Sequence, residues 1–400
     1  MKTPIFLDNH STTPVDPRVL DEMLPFFTLR FGNAASRNHS FGWEAEKAVD
    51  QARGQVARLI HCDPKEIIFT SGATESNNIA LKGIAESYRE KGNHLITVVT
   101  EHKSILDTMK RIEKGGFDIT YLPVDSHGRI DPNAVRAAIT PKTILISVMI
   151  ANNEIGVIQP ISEISKIAKE KGVLVHSDAA QAVGKIPVDV QEMGIDLLSL
   201  SAHKMYGPKG VGALYLRRGN PRIRVSPLID GGGHERGIRS GTLNVPGIVG
   251  LGKAAELCEK EMDAEGVRLS RLRDRLKEII FGQLDEVYLN GHPKERLPHN
   301  LNISILHVEA ESLLLAVSEI AISLGSACTT GTVAPSYVLR ALGLSHDLAH
   351  ASIRFGLGRF NTDSDLEYAG QRIVEAAKRL RAISPVYDRS SVSSPLEGKG

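Results

Sequence analysis

From about residue 65 onwards, apolar segments of strand length alternate with amphipathic segments of helix length, and this alternation restricts the fold more strongly than any other sequence feature. Continuous apolar strands between amphipathic helices are typical of a mainly parallel sheet with helices on both faces. We therefore predict an α/β fold built on such a sheet. The predicted strands are 66–70, 94–100, 118–124, 143–151, 172–178, 196–201 and 211–216, and the predicted helices between them include 75–88, 103–114 and 161–171.

The pattern changes after the glycine triplet at 231–233, and the rest of the chain indicates a smaller α+β domain. Its predicted elements are a long charged helix at 245–281, strands at 300–305 and 321–324, and helices at 335–342 and 363–382. We predict a large domain at 15–260 and a small domain formed by 1–14 and 261–387. Residues 388–400 are poor in apolar side chains, so we expect them to be disordered.

The chain has 400 residues and a formal net charge of +1, so its charge gives no general attraction to nucleic acid or to an anionic membrane. No apolar run approaches the ~20 residues needed to cross a bilayer, and the N-terminus lacks a signal-peptide pattern. The cysteines Cys62, Cys258 and Cys328 are too few and too scattered for a disulfide framework or a zinc site. We expect a cytoplasmic protein without an intrinsic metal site and without nucleic-acid or membrane partners.

Two ionisable residues follow neighbouring predicted strands. Lys204 comes directly after the strand 196–201, where open α/β sheets place their ligands, and a lysine there can form a Schiff base. An ordinary exposed lysine is the alternative. Asp178 ends the preceding strand, where a buried carboxylate needs a partner such as the ring nitrogen of pyridoxal 5'-phosphate (PLP). The alternative for Asp178 is a helix N-cap. The spacing of the two residues favours a shared PLP pocket.

Further strand ends carry groups that suit the same cofactor. In the turn TSGATE, the amides of Ala73 and Thr74 would open a helix and could bind a phosphate, although a plain capped helix start is the alternative. His102 could stack on the pyridine ring and transfer protons. The side-chain amides of Asn153 and Gln181 could bond the ring hydroxyl. Each residue alone suits an ordinary loop role, but their recurrence at successive strand ends favours a cofactor site.

Cys328 lies among small residues in the segment GSACTTG, which predicts an exposed thiol on a mobile loop. An accessible thiolate can attack sulfur. The alternative is a buried small apolar side chain, and this is our interpretation of Cys62 and Cys258. Arg354 could bind a substrate carboxylate bidentately or form a structural ion pair.

These residues and their motifs resemble the group I cysteine desulfurases, of the IscS and NifS type, in the class V aminotransferase superfamily. The resemblance extends from Phe6 to about Pro385. As a set the motifs are very specific, whereas the first alone would be weak evidence. They are TSGATE, TEHK, NNEIG, SAHKMYGPKG, GGGHERGIRSGT and GSACT, at 70–75, 100–103, 152–156, 201–210, 231–242 and 325–329.

The resemblance implies a fold-type I, PLP-dependent homodimer in which Lys204 forms the Schiff base, His102 stacks on the cofactor ring and Asp178 pairs with the ring nitrogen. It also implies that Cys328 becomes a persulfide and that Arg354, with Asn153, binds the substrate carboxylate. It implies that Asn153 and Gln181 contact the ring. The residues implied to contact the phosphate are Ala73, Thr74, Ser201 and His203, together with Thr242 from the other subunit.

The reaction implied by the resemblance removes sulfur from L-cysteine, giving L-alanine and a persulfide on Cys328. The sulfur would pass to an iron–sulfur scaffold protein or to another acceptor, with tRNA thiolation as a further use. Cys328 is then a candidate for a transient ligand of a cluster on the scaffold. A selenocysteine lyase or an aminotransferase of the same fold stays open as an alternative, because neither would need a persulfide on this cysteine.

Overall fold

A computed structural model describes residues 4–219, 221–324, 335–384 and 387 of the chain. The strands are β1 Ile5–Phe6, β2 Ile67–Thr70, β3 His94–Val98, β4 Asp118–Leu122, β5 Thr143–Ser147, β6 Leu174–Asp178, β7 Leu197–Ser201, β8 Gly212–Leu216, β9 Val287–Leu289, β10 Asn300–Ile305, β11 Ile320–Ala321 and β12 Ser352–Gly356. The α-helices are α1 Pro17–Met23, α2 Pro25–Thr28, α3 Ser40–Leu59, α4 Ala73–Ser87, α5 Lys103–Glu113, α6 Pro132–Ala138, α7 Ile161–Glu170, α8 Val245–Phe281, α9 Ala310–Ala316, α10 Tyr337–Ala341, α11 His346–His350 and α12 Asp363–Ile383.

The largest sheet has seven strands in the order β2-β8-β7-β6-β5-β3-β4. Strands β7, β6, β5, β3 and β4 are parallel, whereas β8 is antiparallel to both of its neighbours, β2 and β7. Strand β2 therefore points in the same direction as β7. The carboxyl ends of β2, β3, β5, β6 and β7 all meet at one edge of the sheet. This arrangement confirms the predicted α/β fold with a mainly parallel sheet.

Helices cover both faces of this sheet, which is why its central strands are buried along nearly their whole length. Because successive side chains of a strand point to opposite faces, Ile96 and Ile146 pack in the same apolar cluster as α3, α7 and the first half of α8. Their neighbours Leu95 and Leu145 pack with α4 and α5 on the other face. The continuous apolar runs in the sequence reflect this two-sided burial.

A smaller antiparallel sheet, in the order β12-β10-β9, forms a second core with α9, α12 and the second half of α8. The N-terminal segment belongs to this second core, since β1 pairs in parallel with β11 and Asp8 forms a β-bridge with Gly356. From there the chain continues towards the carboxyl edge of the large sheet. The N-terminal segment thus connects the two sheets at the place where the candidate site lies.

Helix α8 is the predicted bridge, with the predicted bounds. Its buried residues up to Cys258 belong to the large core, and those from Leu269 onwards belong to the second core. The change falls close to the predicted domain boundary at 260–261, and the assignment of domains itself stays a prediction. The predicted disordered tail, 388–400, lies outside the described residues.

Most strands differ from their predicted bounds by no more than two residues at an end, and two strands differ by more. Strand β5 ends at Ser147 and not at residue 151, although the amides of Val148 and Ile150 still donate to carbonyls of β6 at 3.1 and 3.0 Å. The strand predicted at 321–324 is wrong. The strand is β11, Ile320–Ala321, which pairs with β1 over two residues, and Ser323 beyond it forms an isolated β-bridge with Arg354.

Candidate active site

A cavity of about 510 Å³ opens at the carboxyl edge of the large sheet. The ends of β2, β3, β5, β6 and β7 contribute to its walls, as the sequence predicts, and the N-terminal segment and β12 complete them. Among the predicted site residues that the structure describes, only Thr242 does not line this cavity, and its side chain is exposed. The predicted residues that do line it are Ala73, Thr74, His102, Asn153, Asp178, Gln181, Ser201, His203, Lys204 and Arg354.

Lys204 lies in a short 3₁₀ helix directly after β7 and is half-buried, not an ordinary exposed lysine. Its Nζ donates hydrogen bonds to the carbonyl oxygens of His10 and Ser11, the latter at 2.7 Å. Tyr206, two residues further on, has a φ of 65°, and its amide donates to Oγ1 of Thr13 at 2.9 Å. The N-terminal segment therefore fixes the position of the lysine at the cavity.

Asp178 is the last residue of β6 and is 5% exposed. Its Oδ2 accepts from Nδ2 of Asn77 at 2.8 Å, and its Oδ1 accepts from the amide of Ala180 at 2.9 Å. Among the described residues, no lysine or arginine forms an ion pair with this carboxylate. The N-cap alternative is wrong, because the residues after Asp178 form turns and not a helix.

The start of α4 offers backbone amides to an anion. Gly72 is the N-cap, forms no side-chain cap, and has a φ of 152° that side chains other than hydrogen rarely allow. Ser201 faces this turn, with its Oγ 3.8 Å from the position that a Cβ on Gly72 would take. Burial, together with the charges of Lys204 and Lys209, lowers the pKa of His203 to about 4, so this imidazole is neutral at neutral pH.

His102 is the N-cap of α5, and its Nδ1 accepts a hydrogen bond from the amide of Ser104 at 3.1 Å. This bond holds the imidazole at the end of β3. Helix α10 closes the wall beside it, since the hydroxyl of Tyr337 donates to the carbonyl of Glu101 at 2.7 Å. The first hydrogen bond orients the His102 ring, and the second places α10 against the residue that precedes it.

The two predicted amide side chains differ in how their polar atoms are used. Oδ1 of Asn153 is buried and has no hydrogen-bond partner among the described residues. The amide of Gln181 instead pairs with His10, its Oε1 lying 3.0 Å from Nδ1 and its Nε2 donating to the His10 carbonyl at 3.0 Å. Nδ2 of Asn300 lies 3.0 Å from Nε2 of His10, and burial, followed by the charge of Arg354, holds the pKa of His10 well below its usual value. His10 is therefore neutral, with its proton on Nδ1.

Arg354 reaches the cavity from β12 and is 3% exposed. Its Nη2 lies 2.8 Å from Oδ1 of Asp8, and its Nη1 donates to the carbonyl of Asn153 at 2.9 Å. Its Nε is buried and has no partner in the part of the chain that the structure describes. Arg354 thus forms the structural ion pair considered as the alternative, and it still has an N–H left to bind a carboxylate.

The predicted nucleophile, Cys328, lies outside the described residues. The two described cysteines have little thiolate character, because burial raises the pKa of Cys258 to about 11 and also raises the pKa of Cys62. This agrees with their interpretation as small packed side chains. Among the described residues, no three His, Cys, Asp or Glu side chains lie close enough together to hold a metal ion.

Comparison with known proteins identifies the family. The family model "Aminotransferase class-V" matches residues 5–368, most of the chain. This chain belongs to the class-V aminotransferase family. The predicted superfamily is therefore confirmed, and so are its fold type and its cofactor, pyridoxal 5'-phosphate.

Individual relatives of this chain agree with the predicted resemblance. "Cysteine desulfurase IscS" of Anaeromyxobacter dehalogenans (strain 2CP-C) is 58% identical over 388 residues, which cover 97% of this chain and 96% of the relative. The protein of the same name from Rickettsia peacockii (strain Rustic) is 56% identical over 385 residues, covering 96% and 94%. Two solved structures are also similar: a "NifS-like protein" with a TM-score of 0.87, 37% identity and 94% and 99% coverage, and "SspA in complex with cysteine" with a TM-score of 0.80, 38% identity and 90% and 100% coverage.

The residues that line the cavity fit the cofactor. Asp178 is a buried carboxylate without a cationic partner among the described residues, and a protonated ring nitrogen would supply one. The unpartnered Oδ1 of Asn153 could accept from the ring hydroxyl. The amides at the start of α4 suit a phosphate, and Lys204 lines the same cavity.

Several residues that line the cavity are absent from the sequence-based prediction. Glu154 follows directly after the predicted residue Asn153, and Ser104 lies two residues after His102, so closeness in sequence to a predicted residue was the available signal. Glu154 is fully buried, and burial raises its pKa to about 7. His10 reaches the cavity only through the pairing of the N-terminal segment with the small sheet, which no local sequence pattern indicates.

Proposed function

We propose that this chain is a PLP-dependent cysteine desulfurase that converts L-cysteine to L-alanine and keeps the sulfur as a persulfide on Cys328. The observation that carries the proposal is one cavity in which Lys204, Asp178 and Arg354 meet. These are the groups needed for a covalent cofactor link, for a counter-ion to the cofactor ring and for the carboxylate of an amino acid. The relatives named cysteine desulfurase support the choice of cysteine as the substrate.

Some residues of the cavity bind the substrate and the cofactor, and others transfer protons. Bound PLP supplies an electron sink that labilises the bonds at the substrate Cα and Cβ. Arg354 binds the substrate carboxylate through the donors not used by Asp8 and Asn153. Nζ of Lys204 takes the proton from the substrate Cα, and His102 exchanges protons on the other side of the site. Asp178 keeps the ring nitrogen protonated.

The sulfur step belongs to Cys328. Its thiolate attacks the substrate Sγ, so that an S–S bond forms while the Cβ–Sγ bond breaks and its electron pair passes to the carbon side. A proton then adds to Cβ, and alanine leaves. Cysteine plus one protein thiol becomes alanine plus one persulfide, so no external oxidant is needed. The raised pKa values of Cys62 and Cys258 argue against either of these thiols taking that role.

A second copy of this chain is the proposed partner of an exposed apolar surface on the N-terminal helices. Monomeric proteins rarely expose so many large apolar side chains together, and the rings of Phe31 and Phe41 lie 5.3 Å apart on it. The resemblance implies that Thr242 reaches the phosphate site of a second subunit, and Thr242 is exposed and does not line the cavity of its own chain. The residues of the surface are Leu20, Leu24, Phe27, Leu29, Phe31, Phe41 and Trp43.

The persulfide sulfur is proposed to pass to an iron–sulfur scaffold protein and to other sulfur acceptors, with Cys328 as a transient cluster ligand on the scaffold. A cytoplasmic location fits a reactive free thiol. Among the described residues, none of the helices combines the length and the apolar character needed to cross a lipid bilayer.

Intact mass spectrometry after incubation with L-cysteine tests the proposed function. The expected result is a gain of one sulfur atom per chain that disappears with dithiothreitol. The variant Cys328→Ser should gain no sulfur, whereas Cys62→Ser, which removes a different thiol, should gain it as the wild type does. An unchanged mass in the PLP-loaded wild type, or a sulfur gain that survives Cys328→Ser, would contradict the proposal.

A further inference from the structure

Nδ1 of His102 is held as a hydrogen-bond acceptor. The backbone amide of Ser104 donates to it at 3.1 Å. Since a backbone N–H can only donate, Nδ1 must be the acceptor of this hydrogen bond. Oγ of Ser104 lies 2.8 Å from the same nitrogen. A proton on Nδ1 would oppose the amide proton and would break the N-cap of α5.

Asn77 fixes the direction of the hydrogen bond between Ser104 and His102. Asn77 is fully buried on α4, and its Nδ2 donates to Oδ2 of Asp178 at 2.8 Å and to Oγ of Ser104 at 2.8 Å. Its NH₂ group has two protons, one for each acceptor. The opposite orientation would place the amide oxygen against the carboxylate of Asp178. Because Oγ of Ser104 accepts from Asn77, its own proton is directed to Nδ1 of His102.

The result is a series of hydrogen bonds in which the direction of donation is fixed at every step. It runs from the carboxylate of Asp178, through the NH₂ group of Asn77 and the hydroxyl of Ser104, to Nδ1 of His102. Each link has a heavy-atom separation of 2.8 Å, which is within the range of good hydrogen bonds. None of these links requires a bound molecule, since each joins two side chains of the protein.

We propose that Ser104 and Asn77 are positioning residues that hold His102 as the tautomer with its proton on Nε2. Proton exchange at this imidazole then runs through Nε2, which is a hydrogen-bond donor in the neutral resting ring. This inference deepens the proposed function and rests on His102 acting at the cofactor. The same series of hydrogen bonds supplies a donor to Asp178, so Asn77 and Ser104 orient both Asp178 and His102.

Long-range ¹H–¹⁵N correlation spectra of the holoenzyme, labelled with ¹⁵N-histidine, measure the tautomer directly. The signals of His102 are identified by their loss in His102→Gln. In the wild type we expect Nδ1 to have the ¹⁵N shift of a bare ring nitrogen and Nε2 that of a protonated one. A wild-type spectrum with the proton on Nδ1 overturns the proposal. This readout needs no turnover, so it stands apart from any failure to form a persulfide.

Variants then test the hydroxyl of Ser104. Ser104→Ala keeps the backbone amide but removes the second of the two described donors to Nδ1, so the tautomer with its proton on Nδ1 should become detectable. We expect kcat to fall about tenfold with little change in KM, because orientation in the transition state is lost and not substrate binding. Ser104→Thr, which keeps the hydroxyl, should restore both. Thr108→Val removes a hydroxyl from the same helix that bonds only to Asn78 in the described contacts, and it should behave as the wild type.

The outcomes separate a positioning role from a structural one. A lower melting temperature in Ser104→Ala with an unchanged His102 spectrum and unchanged kcat would show that the hydroxyl only stabilises the fold, and would overturn its positioning role. If Ser104→Ala does not fold, Ser104→Cys replaces it, because a thiol is a weaker donor. In that variant, too, an unaltered tautomer contradicts the proposal.

Discussion

The carboxylate of Asp8 lies 2.8 Å from Nη2 of Arg354, and this ion pair joins the N-terminal segment to the last strand of the small sheet. Arg354 is 3% exposed as a side chain and Asp8 is 16% exposed, so the pair is largely shielded from water. The carboxylate orients the guanidinium and compensates its charge. The Nε atom of Arg354 is buried and has no hydrogen-bond partner among the described residues.

Replacing Asp8 by asparagine should weaken the binding of L-cysteine. The side chain keeps its size but loses the charge that orients Arg354, and breaking one partner of a buried pair is costly. We expect KM for L-cysteine to rise by about tenfold, which corresponds to about 1.4 kcal/mol, with a smaller change in kcat. Steady-state kinetics of alanine formation measures both constants.

A surface ion pair provides the matched control. Asp363 lies 3.0 Å from Arg271, and both side chains are more than 60% exposed, at 62% and 64%. Asp363→Asn removes the same charge from a pair of little energetic weight, so its KM should equal that of the wild type. If Asp8→Asn also leaves KM unchanged, the ion pair does not position Arg354 for the substrate.

Gly212 lies where β8 passes closest to the phosphate-binding turn. A Cβ on this residue would lie 2.4 Å from the carbonyl oxygen of Leu200 and 2.7 Å from Cα of Gly72, so Gly212→Ala must displace the backbone. We expect the affinity for PLP to fall by about tenfold or more, measured by titrating the apoenzyme and following the cofactor absorbance. Gly54→Ala is the control, because the nearest atom to its new Cβ is the end of a flexible arginine at 3.8 Å. Equal PLP affinities in the two variants would contradict the prediction.

His176 should make the fold sensitive to acid. It is fully buried between β5 and β7, with Nδ1 at 2.9 Å from Oγ of Ser147 and Nε2 at 3.0 Å from Oγ of Ser199, and burial lowers its pKa from 6.5 to about 4. The unfolded chain therefore binds a proton at higher pH than the folded chain does. Stability is complete above pH 6.5 and is lost as the pH falls towards 4.

Denaturant unfolding at pH 7 and pH 5 measures this effect. Between these two values His176 should remove about 2 kcal/mol from the free energy of unfolding. His176→Gln lacks the titrating group, so its loss of stability between the two pH values should be smaller by that amount. His127→Gln, at an exposed position, controls for the loss of one histidine. The same pH dependence in His176→Gln and in the wild type would show that another group is responsible.

The strand ends of the large sheet could be predicted because they are local. Apolar periodicity locates each strand, and the parallel arrangement then brings Asp178, Lys204 and His102 to one edge without further information. The part played by His10 could not be predicted in this way. It depends on β1 pairing with β11, more than 300 residues away along the chain (Ile5 with Ile320), and a two-residue strand leaves almost no periodic signal.

Side-chain hydrogen bonding also lies beyond the sequence patterns. The sequence predicts that Gln181 contacts the cofactor ring, and the structure adds two hydrogen bonds between its amide and His10 that no sequence pattern indicates. The sequence predicts that Arg354 either binds a substrate carboxylate or forms an ion pair. Its Nη2 forms the ion pair with Asp8, and its Nε is left to bind a carboxylate. In each case the choice depends on partners from distant parts of the chain, which only the tertiary structure brings together.

Lys204→Ala should abolish the covalent attachment of PLP. Nζ of Lys204 is fixed beside the cavity by the carbonyls of His10 and Ser11, so it is the amine placed to react with the cofactor aldehyde. The wild type should show an absorbance band near the border of the visible and ultraviolet regions, and borohydride should fix the cofactor to the chain with the corresponding mass increase. Lys209→Ala removes an exposed lysine that lines the same cavity, and it should keep both the band and the mass increase. Borohydride labelling that persists in Lys204→Ala would assign the attachment to another amine. A wild type that is colourless and does not bind added PLP would overturn the cofactor site as a whole.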